Sequence, residues 1–252
     1  MKLFGLSASE FLQLITILSN YQNTLKKVIL FGSRARSDYK THSDIDLAIE
    51  FKNSLKYPNL SEAFEMSNLA YTVDLLDLTS SKDKNIFQHI ASDGIILFDE
   101  NGKQEKWMTL ALINEKLQDF NNALSRLEEA LQKDIYQDDM YLDATIQRFE
   151  FCYELCWKLI KSYLNYIGIT ANSPRAAFRE AFKQELIIEI DLWIKMLDKR
   201  NLTSHTYHED MAKDVYYAIK DDFYDLLEGF NQKIIQLIEA LINDEKNESK
   251  KI

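Results

Sequence analysis

The apolar residues of this chain change their period once, and that change decides what it can fold into. Before residue 99, "KVILF", "DIDLAIEF", "TVDLLDL" and "GIILF" are strand-length runs, with helical patterns at Leu12, Ile15, Leu18 and Tyr21 and around Ala63 to Leu69. At "DENGKQEK", residues 99 to 106, Gly102 sits among polar residues, and beyond it only helical periods follow. One stripe begins Leu110, Ile113, Leu117, Phe120 and continues to Leu131; a second runs from Phe149 through Cys152, Tyr153 and Cys156 to Ile167. Ser173-Pro174 has the cap and first-turn pattern of a new helix, a longer helix follows to about Leu202, and a last one carries Tyr216 through Leu241. The reading is α+β: residues 1–104 form a domain with a short mixed β-sheet and helices, 105–246 an all-α up-and-down helical bundle, and 247–252 a polar tail expected to fray.

Composition narrows the function. A net charge of −10 argues against a broad basic face for duplex DNA, so no DNA partner is expected. The two cysteines, Cys152 and Cys156, lie on one helical stripe and match no disulfide framework or zinc spacing, which fits core residues in a reducing cytosol. The first apolar stretch is interrupted by Ser7, Ser9 and Glu10, and no run approaches membrane-spanning length. These features predict a soluble, cytoplasmic protein with no membrane partner.

The stretch "ILFGSRARSDYKTHSDIDLAIEF", residues 29 to 51, holds the first chemical constellation. In a strand, positions i and i+2 share a face, so Asp44 and Asp46 project together while Ile45 and Leu47 face the core. Two neighbouring carboxylates raise each other's pKa unless a cation neutralises them, and hard oxygen ligands suit Mg²⁺ together with substrate phosphates. Asp74 in "YTVDLLDL" is the candidate third carboxylate, with Asp77 its competitor; a shift of three residues puts Asp77 on the opposite face. Gly32 permits a tight turn, Ser33 and free backbone N–H groups at a helix start could hold a triphosphate, and Arg34 and Arg36 could add positive charge. The competing reading is a solvated strand face beside an ordinary turn.

Gly32-Ser33, ten residues, then Asp44-Ile45-Asp46 resembles the minimal nucleotidyltransferase (MNT) branch of the DNA polymerase β superfamily, over about residues 20 to 100. The resemblance implies metal-dependent transfer of a nucleoside monophosphate from a triphosphate, with ATP as substrate and Mg²⁺ or Mn²⁺ as cofactor. Asp44 and Asp46 would hold metal, and Asp74 would be a further ligand or the base for the acceptor hydroxyl. Ser37 stands where many members carry glycine.

A second constellation lies in "DKRNLTSHTYHED", residues 198 to 210, where Thr203, Ser204 and His205 interrupt a helix. In an unbroken helix, Arg200 and His205 would diverge by about 140°, so their convergence needs a break or a partner subunit. A histidine can take a proton from a ribose 2′-hydroxyl and an arginine can stabilise the developing phosphorane charge, which together cut RNA without metal. Lys195 and Lys199 supply local positive charge. Taken alone, the stretch reads equally as a helix C-terminus whose basic side chains complement the dipole.

"FNNALSRLEEAL", "ATIQRFEFCYELCWKLIKSYL", "SPRAAFREAF" and "MLDKRNLTSHTY" resemble, in order, a HEPN domain of the nucleotidyltransferase substrate-binding type, from about residue 107 to 243. The resemblance places the Arg-x4-His motif at Arg200 and His205, its polar companion at Asn201 and its trailing tyrosine at Tyr207. It implies a homodimeric bundle with RNA as possible substrate, silenced when the MNT partner attaches AMP to the tyrosine. The leading expectation is an adenylyltransferase fused to its own HEPN acceptor, as a toxin–antitoxin-like pair. The alternatives are a HEPN RNase restrained by the transferase domain, or an aminoglycoside-type nucleotidyltransferase whose bundle binds the acceptor.

Overall fold

The computed structural model describes residues 2–52, 59–80, 84–203 and 209–250. Packing divides the chain into two compact units, Met1–Asn114 with Glu239–Ile252, and Glu115–Ile238.

The first unit is built on a four-stranded sheet of β1 (Leu25–Phe31), β2 (Ile45–Phe51), β3 (Val73–Asp77) and β4 (Ile95–Asp99), in the order β3-β2-β1-β4. β1 pairs antiparallel with β2 and β4, whereas β2 and β3 run parallel. The mixed sheet and its helices bear out the α+β expectation. Helix α1 (Ala8–Asn20) opens with a reciprocal cap: Glu10 N–H donates to Ser7 Oγ at 3.2 Å, and Ser7 N–H donates to Glu10 Oε2 at 2.8 Å. Its buried stripe is Phe11, Leu14, Ile15 and Leu18, one residue offset from the Leu12 start that spacing suggests. Three short helices complete the layer: α2 (Gly32–Arg36), α3 (Leu60–Glu65) and α4 (Lys84–Asp93). The helix start expected at Ser33 is the single-turn α2, whereas sequence reasoning missed α4, whose polar residues obscure its period. Ile90 of α4 closes a core cluster over Ile29, Ala48 and Ile96 on one face of the sheet.

The long helices α5 (Lys103–Leu131) and α10 (Tyr224–Ser249) are cut by the division between units, which does not fall at the polar turn around Gly102. Within the first unit, Trp107 of α5 is fully buried against Phe4 and Phe11 and donates its indole N–H to Ile96 O at 2.9 Å. Lys103 reaches the buried Glu245 of α10 at 2.5 Å, and Ser249 Oγ bonds the same carboxylate at 3.4 Å. The expected fraying from residue 247 is therefore corrected: the helix continues through a buried Ser249, held by this polar cluster.

In the second unit α5 is joined by α6 (Met140–Tyr166), α7 (Pro174–Lys183), α8 (Ile190–Leu202), α9 (Glu209–Ala218), a π-helical turn at Ile219–Phe223, and α10. Ser173 caps α7, its Oγ accepting from Ala176 N–H at 3.2 Å, with Pro174 in the first turn. The apolar stripes meet in an aromatic interior: Phe149 stacks on Phe223 at 5.8 Å, and Trp193 packs between Phe178 at 5.0 Å and Phe230 at 5.8 Å. Cys152 and Cys156 are free, fully buried core thiols, and burial pushes Cys152 up to about 12. The last predicted helix is divided by the π turn, a feature its apolar spacing conceals. Among the described residues, no helix is long and apolar enough to cross a membrane.

Candidate active site on the β-sheet

The strand register assembles the acidic face. Asp46 lies opposite Phe31 on β1 and opposite Asp74 on β3, while Asp44 sits one residue before β2 and two before Asp46. The competitor Asp77 is paired with Ile49, three residues further along β3 and so on the other face, where its Oδ1 accepts from Thr79 N–H at 2.8 Å. Backbone hydrogen bonding thus distinguishes the two candidates that side-chain chemistry left equal.

Gly32 follows β1 directly and starts α2 with φ +71°. A Cβ there would lie 2.1 Å from Asp46 Oδ2, so only glycine allows both the left-handed backbone and the approach of this carboxylate. Asp46 is half-buried. Burial pushes its carboxyl above the ordinary range, the like charges of Asp74 and then Asp44 push it further, and Arg36 and Arg34 act in the opposite direction. The half-buried Ser33 occupies the first turn of α2, where backbone N–H groups have no intrahelical acceptor. Beside Asp74, a cavity of about 600 Å³ opens between α3 and β3, with Ser61, Phe64, Tyr71 and Thr72 in its wall.

The two arginines part company. Arg36 is exposed and pairs with Asp38 at 3.2 Å. Arg34, expected to meet phosphate, is 1% exposed. Its Nε donates to the carbonyls of Ser43 and Asp44 at 3.2 and 3.1 Å, Nη2 to Ser43 O at 2.7 Å, and Nη1 to Phe4 O at 2.9 Å. The guanidinium also lies 4.3 Å from the Tyr71 ring centroid. The phosphate-binding expectation for Arg34 is therefore corrected: its donors are spent on main-chain carbonyls, and it fixes the entry to β2 from which Asp44 and Asp46 project. Ser37, where glycine was expected by resemblance, closes α2 with φ +68°, a conformation that explains the glycine preference.

Among the described residues, no group of three or more His, Cys, Asp or Glu side chains is gathered into a ready metal cage. The donor chemistry nevertheless fits a hard divalent cation: Asp46 and Asp74 face each other in register with Asp44 adjacent, and Asp46 carries the repulsion a cation would relieve. Mg²⁺ commonly takes one or two carboxylates and completes its shell with water and substrate phosphates.

The second constellation sits at the end of α8. Arg200 Nη2 donates to Glu154 Oε1 at 2.8 Å, and Glu154 Oε2 accepts from Trp157 Nε1 at 2.8 Å. Thr203 Oγ1 donates to Glu150 Oε1 and to Arg200 O. The Arg200 guanidinium lies 5.9 Å from the ring of buried Tyr153, whose hydroxyl is pushed up mainly by burial, then by Glu154, with Arg200 opposing. Asn201 is exposed on the last turn of α8. His205 and Tyr207 lie outside the described residues. Glu150, Tyr153 and Glu154 escaped sequence reasoning, although two glutamates one turn apart beside the Phe149–Cys152 stripe were the available signal. Lys195 and Lys199, expected as local positive charge, are paired with Asp222 and Asp214.

Comparison with known proteins gives the same two-part division. The family model "Polymerase beta, Nucleotidyltransferase" matches residues 13–103, and "Nucleotidyltransferase substrate binding protein like" matches residues 115–236. A Haemophilus influenzae protein described as probable ribonuclease HepT is 40% identical over 98 residues, 37% of this chain and 66% of the relative. Another from the same organism, described as probable protein adenylyltransferase MntA, is 39% identical over 77 residues, 29% of this chain and 65% of the relative. Each match spans just under two thirds of the relative's own length. A solved structure of a tri-AMPylated Shewanella oneidensis HEPN toxin with MNT antitoxin aligns at 22% identity and TM-score 0.43, covering 49% of this chain and 96% of that one. The chain therefore carries, in one polypeptide, a polymerase-beta-type nucleotidyltransferase domain over the first matched stretch and a HEPN-like domain of the nucleotidyltransferase substrate-binding type over the second.

Proposed function

We propose that the chain is an adenylyltransferase that moves AMP from ATP to a tyrosine hydroxyl of its own HEPN domain, with residues 1–104 as the transferase and 105–246 as the acceptor domain. The observation that carries this reading is the register setting Asp46 against Asp74 directly above Gly32. The name of the MntA relative supports protein adenylylation.

In the proposed reaction the acceptor oxygen bonds to the α-phosphorus as the bond to the β-phosphate bridging oxygen breaks, and pyrophosphate leaves. Asp74, exposed at the strand face beside the cavity, takes the hydroxyl proton. Backbone N–H groups at Gly32 and Ser33, with the Ser33 hydroxyl, donate to the phosphate tail. Arg36 lends positive charge from the rim. Mg²⁺, or Mn²⁺ in its place, held by Asp44 and Asp46 with Asp74, would neutralise phosphate charge and polarise the α-phosphate. Tyr207 is the assigned acceptor, within one chain or across a homodimer formed by the bundle.

Incubating the full chain with ATP and Mg²⁺ and mapping modified peptides by mass spectrometry tests the reading. AMP on Tyr207, absent in Asp46→Asn, is the expected result. Label found solely on an added aminoglycoside would transfer the activity to a small-molecule acceptor.

A second reading, RNA cleavage by Arg200, Asn201 and His205 under transferase control, is favoured by the fixed Arg200–Glu154 pair and by the HepT relative's name. It requires cleavage to vanish in His205→Ala and to rise in Asp44→Ala.

A further inference from the structure

A strained turn stands behind Arg34. Leu3 and Leu6 exchange backbone hydrogen bonds, each N–H donating to the other's carbonyl at 2.9 Å, and the two residues between them hold φ of +55° at Phe4 and +78° at Gly5. Two successive left-handed residues ordinarily call for Asn-Gly, and a bulky ring at the first of them is an outlier. Backbone strain of this kind persists where surrounding structure enforces it, and it concentrates at functional sites. Here the strained carbonyl has a partner: Phe4 O accepts from Arg34 Nη1 at 2.9 Å. A Cβ on Gly5 would lie 2.4 Å from Tyr39 Cε2 and 2.8 Å from Arg34 Nη1, so the turn and the guanidinium are in close contact. The same guanidinium holds the carbonyls of Ser43 and Asp44.

The turn is in turn held by α10. The Phe4 ring, 3% exposed, packs against Trp107 at 5.3 Å and Phe11 at 5.6 Å, and Lys246 Nζ lies 4.9 Å from its centroid. Lys246 is half-buried, and burial, then the like charge of Lys250, hold its ammonium below the ordinary range. The face of the Phe4 ring offsets that desolvation, which ties α10 to the turn. Residues 3–6 and 246 all lie outside the stretches 13–103 and 115–236 that the two family models match.

We propose that Phe4, Gly5 and Lys246 are positioning residues of the transferase site: Lys246 seats the Phe4 ring, the Phe4 carbonyl seats Arg34, and Arg34 seats the loop carrying Asp44 and Asp46. The role in transfer rests on the adenylyltransferase reading above; the mechanical link does not. It also means that residues 1–104 do not hold the whole transferase site, because α10 supplies part of its support.

Two glycine variants of the full chain separate this link from general strain. Gly5→Ala and Gly102→Ala both force alanine into a left-handed backbone, but a Cβ at Gly102, φ +86°, meets Glu105 no closer than 3.7 Å, whereas one at Gly5 displaces Arg34. Both should melt at lower temperature. Only Gly5→Ala should lower kcat for AMP transfer, by about tenfold, since small misplacements of reacting groups are costly. Amide exchange, followed by mass spectrometry, should quicken over residues 38–46 in Gly5→Ala and stay as in wild type in Gly102→Ala. Lys246→Met should show the same two changes more weakly, about threefold in kcat, and Lys246→Arg should restore both. Equal kcat and equal exchange in the two glycine variants, or wild-type behaviour of Lys246→Met in both assays, would overturn the proposal. Wild-type protein that moves no AMP would overturn the transferase reading instead, and the exchange comparison would still decide whether the turn and α10 hold the loop.

Discussion

The acidic face of the sheet and the end of α8 both hold charged side chains in place, by different means. On the sheet, position is set by the backbone: the register puts Asp46 beside Asp74, and Arg34 fixes the preceding loop through main-chain carbonyls. At α8, position is set between side chains: Glu154 of α6 grips Arg200, and Trp157 orients Glu154. A register-fixed site tolerates side-chain change at its edges but depends on the few residues that hold the backbone. A tethered site loses geometry gradually as each tether is removed.

The largest effect expected from this contrast is at Arg34. Truncating it to alanine strands three buried or half-buried carbonyls, and should cost about 3 kcal/mol or more in chemical denaturation. A stable Arg34→Ala protein with normal nucleotidyl transfer would break the claim that the loop before β2 is held by this side chain.

Asp46→Asn separates function from stability. Label transfer should fall about 100-fold or more, while the melting temperature at neutral pH should rise. The sign follows from the raised folded-state value: a carboxyl that holds its proton more tightly when folded favours the fold below its ordinary 3.8, and loses that contribution as pH rises through the higher folded value. The stability gain of the asparagine variant should therefore shrink as the pH is lowered through the raised folded value, as wild-type Asp46 takes up its own proton. A melting temperature difference independent of pH would contradict this.

Glu154→Gln probes the tether at α8. Because both partners are about one third exposed, the ion pair should contribute only about 0.5–1 kcal/mol to stability. RNA cleavage assayed on the unmodified protein should fall about tenfold through loss of Arg200 alignment, with partial recovery in Glu154→Asp. An unchanged cleavage rate would leave Arg200 positioned by other means.

The smallest effect is at Ser37. Replacing it with glycine relieves the left-handed residue closing α2 and should raise stability by about 0.5 kcal/mol, the difference between that strain and the entropy cost of glycine. A thermal melt resolves it, and no change in transfer is expected.

The alternating and helical periods, the Gly-Ser turn and the Asp-x-Asp spacing were legible because each is local: strand parity links Asp44 to Asp46, and helix periodicity links Cys152 to Cys156. Parity also separated Asp74 from Asp77 once β3 was paired, but the pairing itself belongs to the sheet. Arg34 and Arg36 sit two residues apart in the same short motif, and nothing in their neighbourhood shows which one turns inward. That choice was made by Phe4, Ser43 and Tyr71, brought together by the fold. Likewise, Glu154 and Arg200 meet across 46 positions of chain, and the lysines near Arg200 are paired with aspartates of later segments. By itself the sequence determined the class of each half and the residue types able to do chemistry, since periodicity and spacing act over a few residues. Which charges remain available was decided by tertiary structure alone, because neutralisation depends on partners that only folding brings within hydrogen-bond distance.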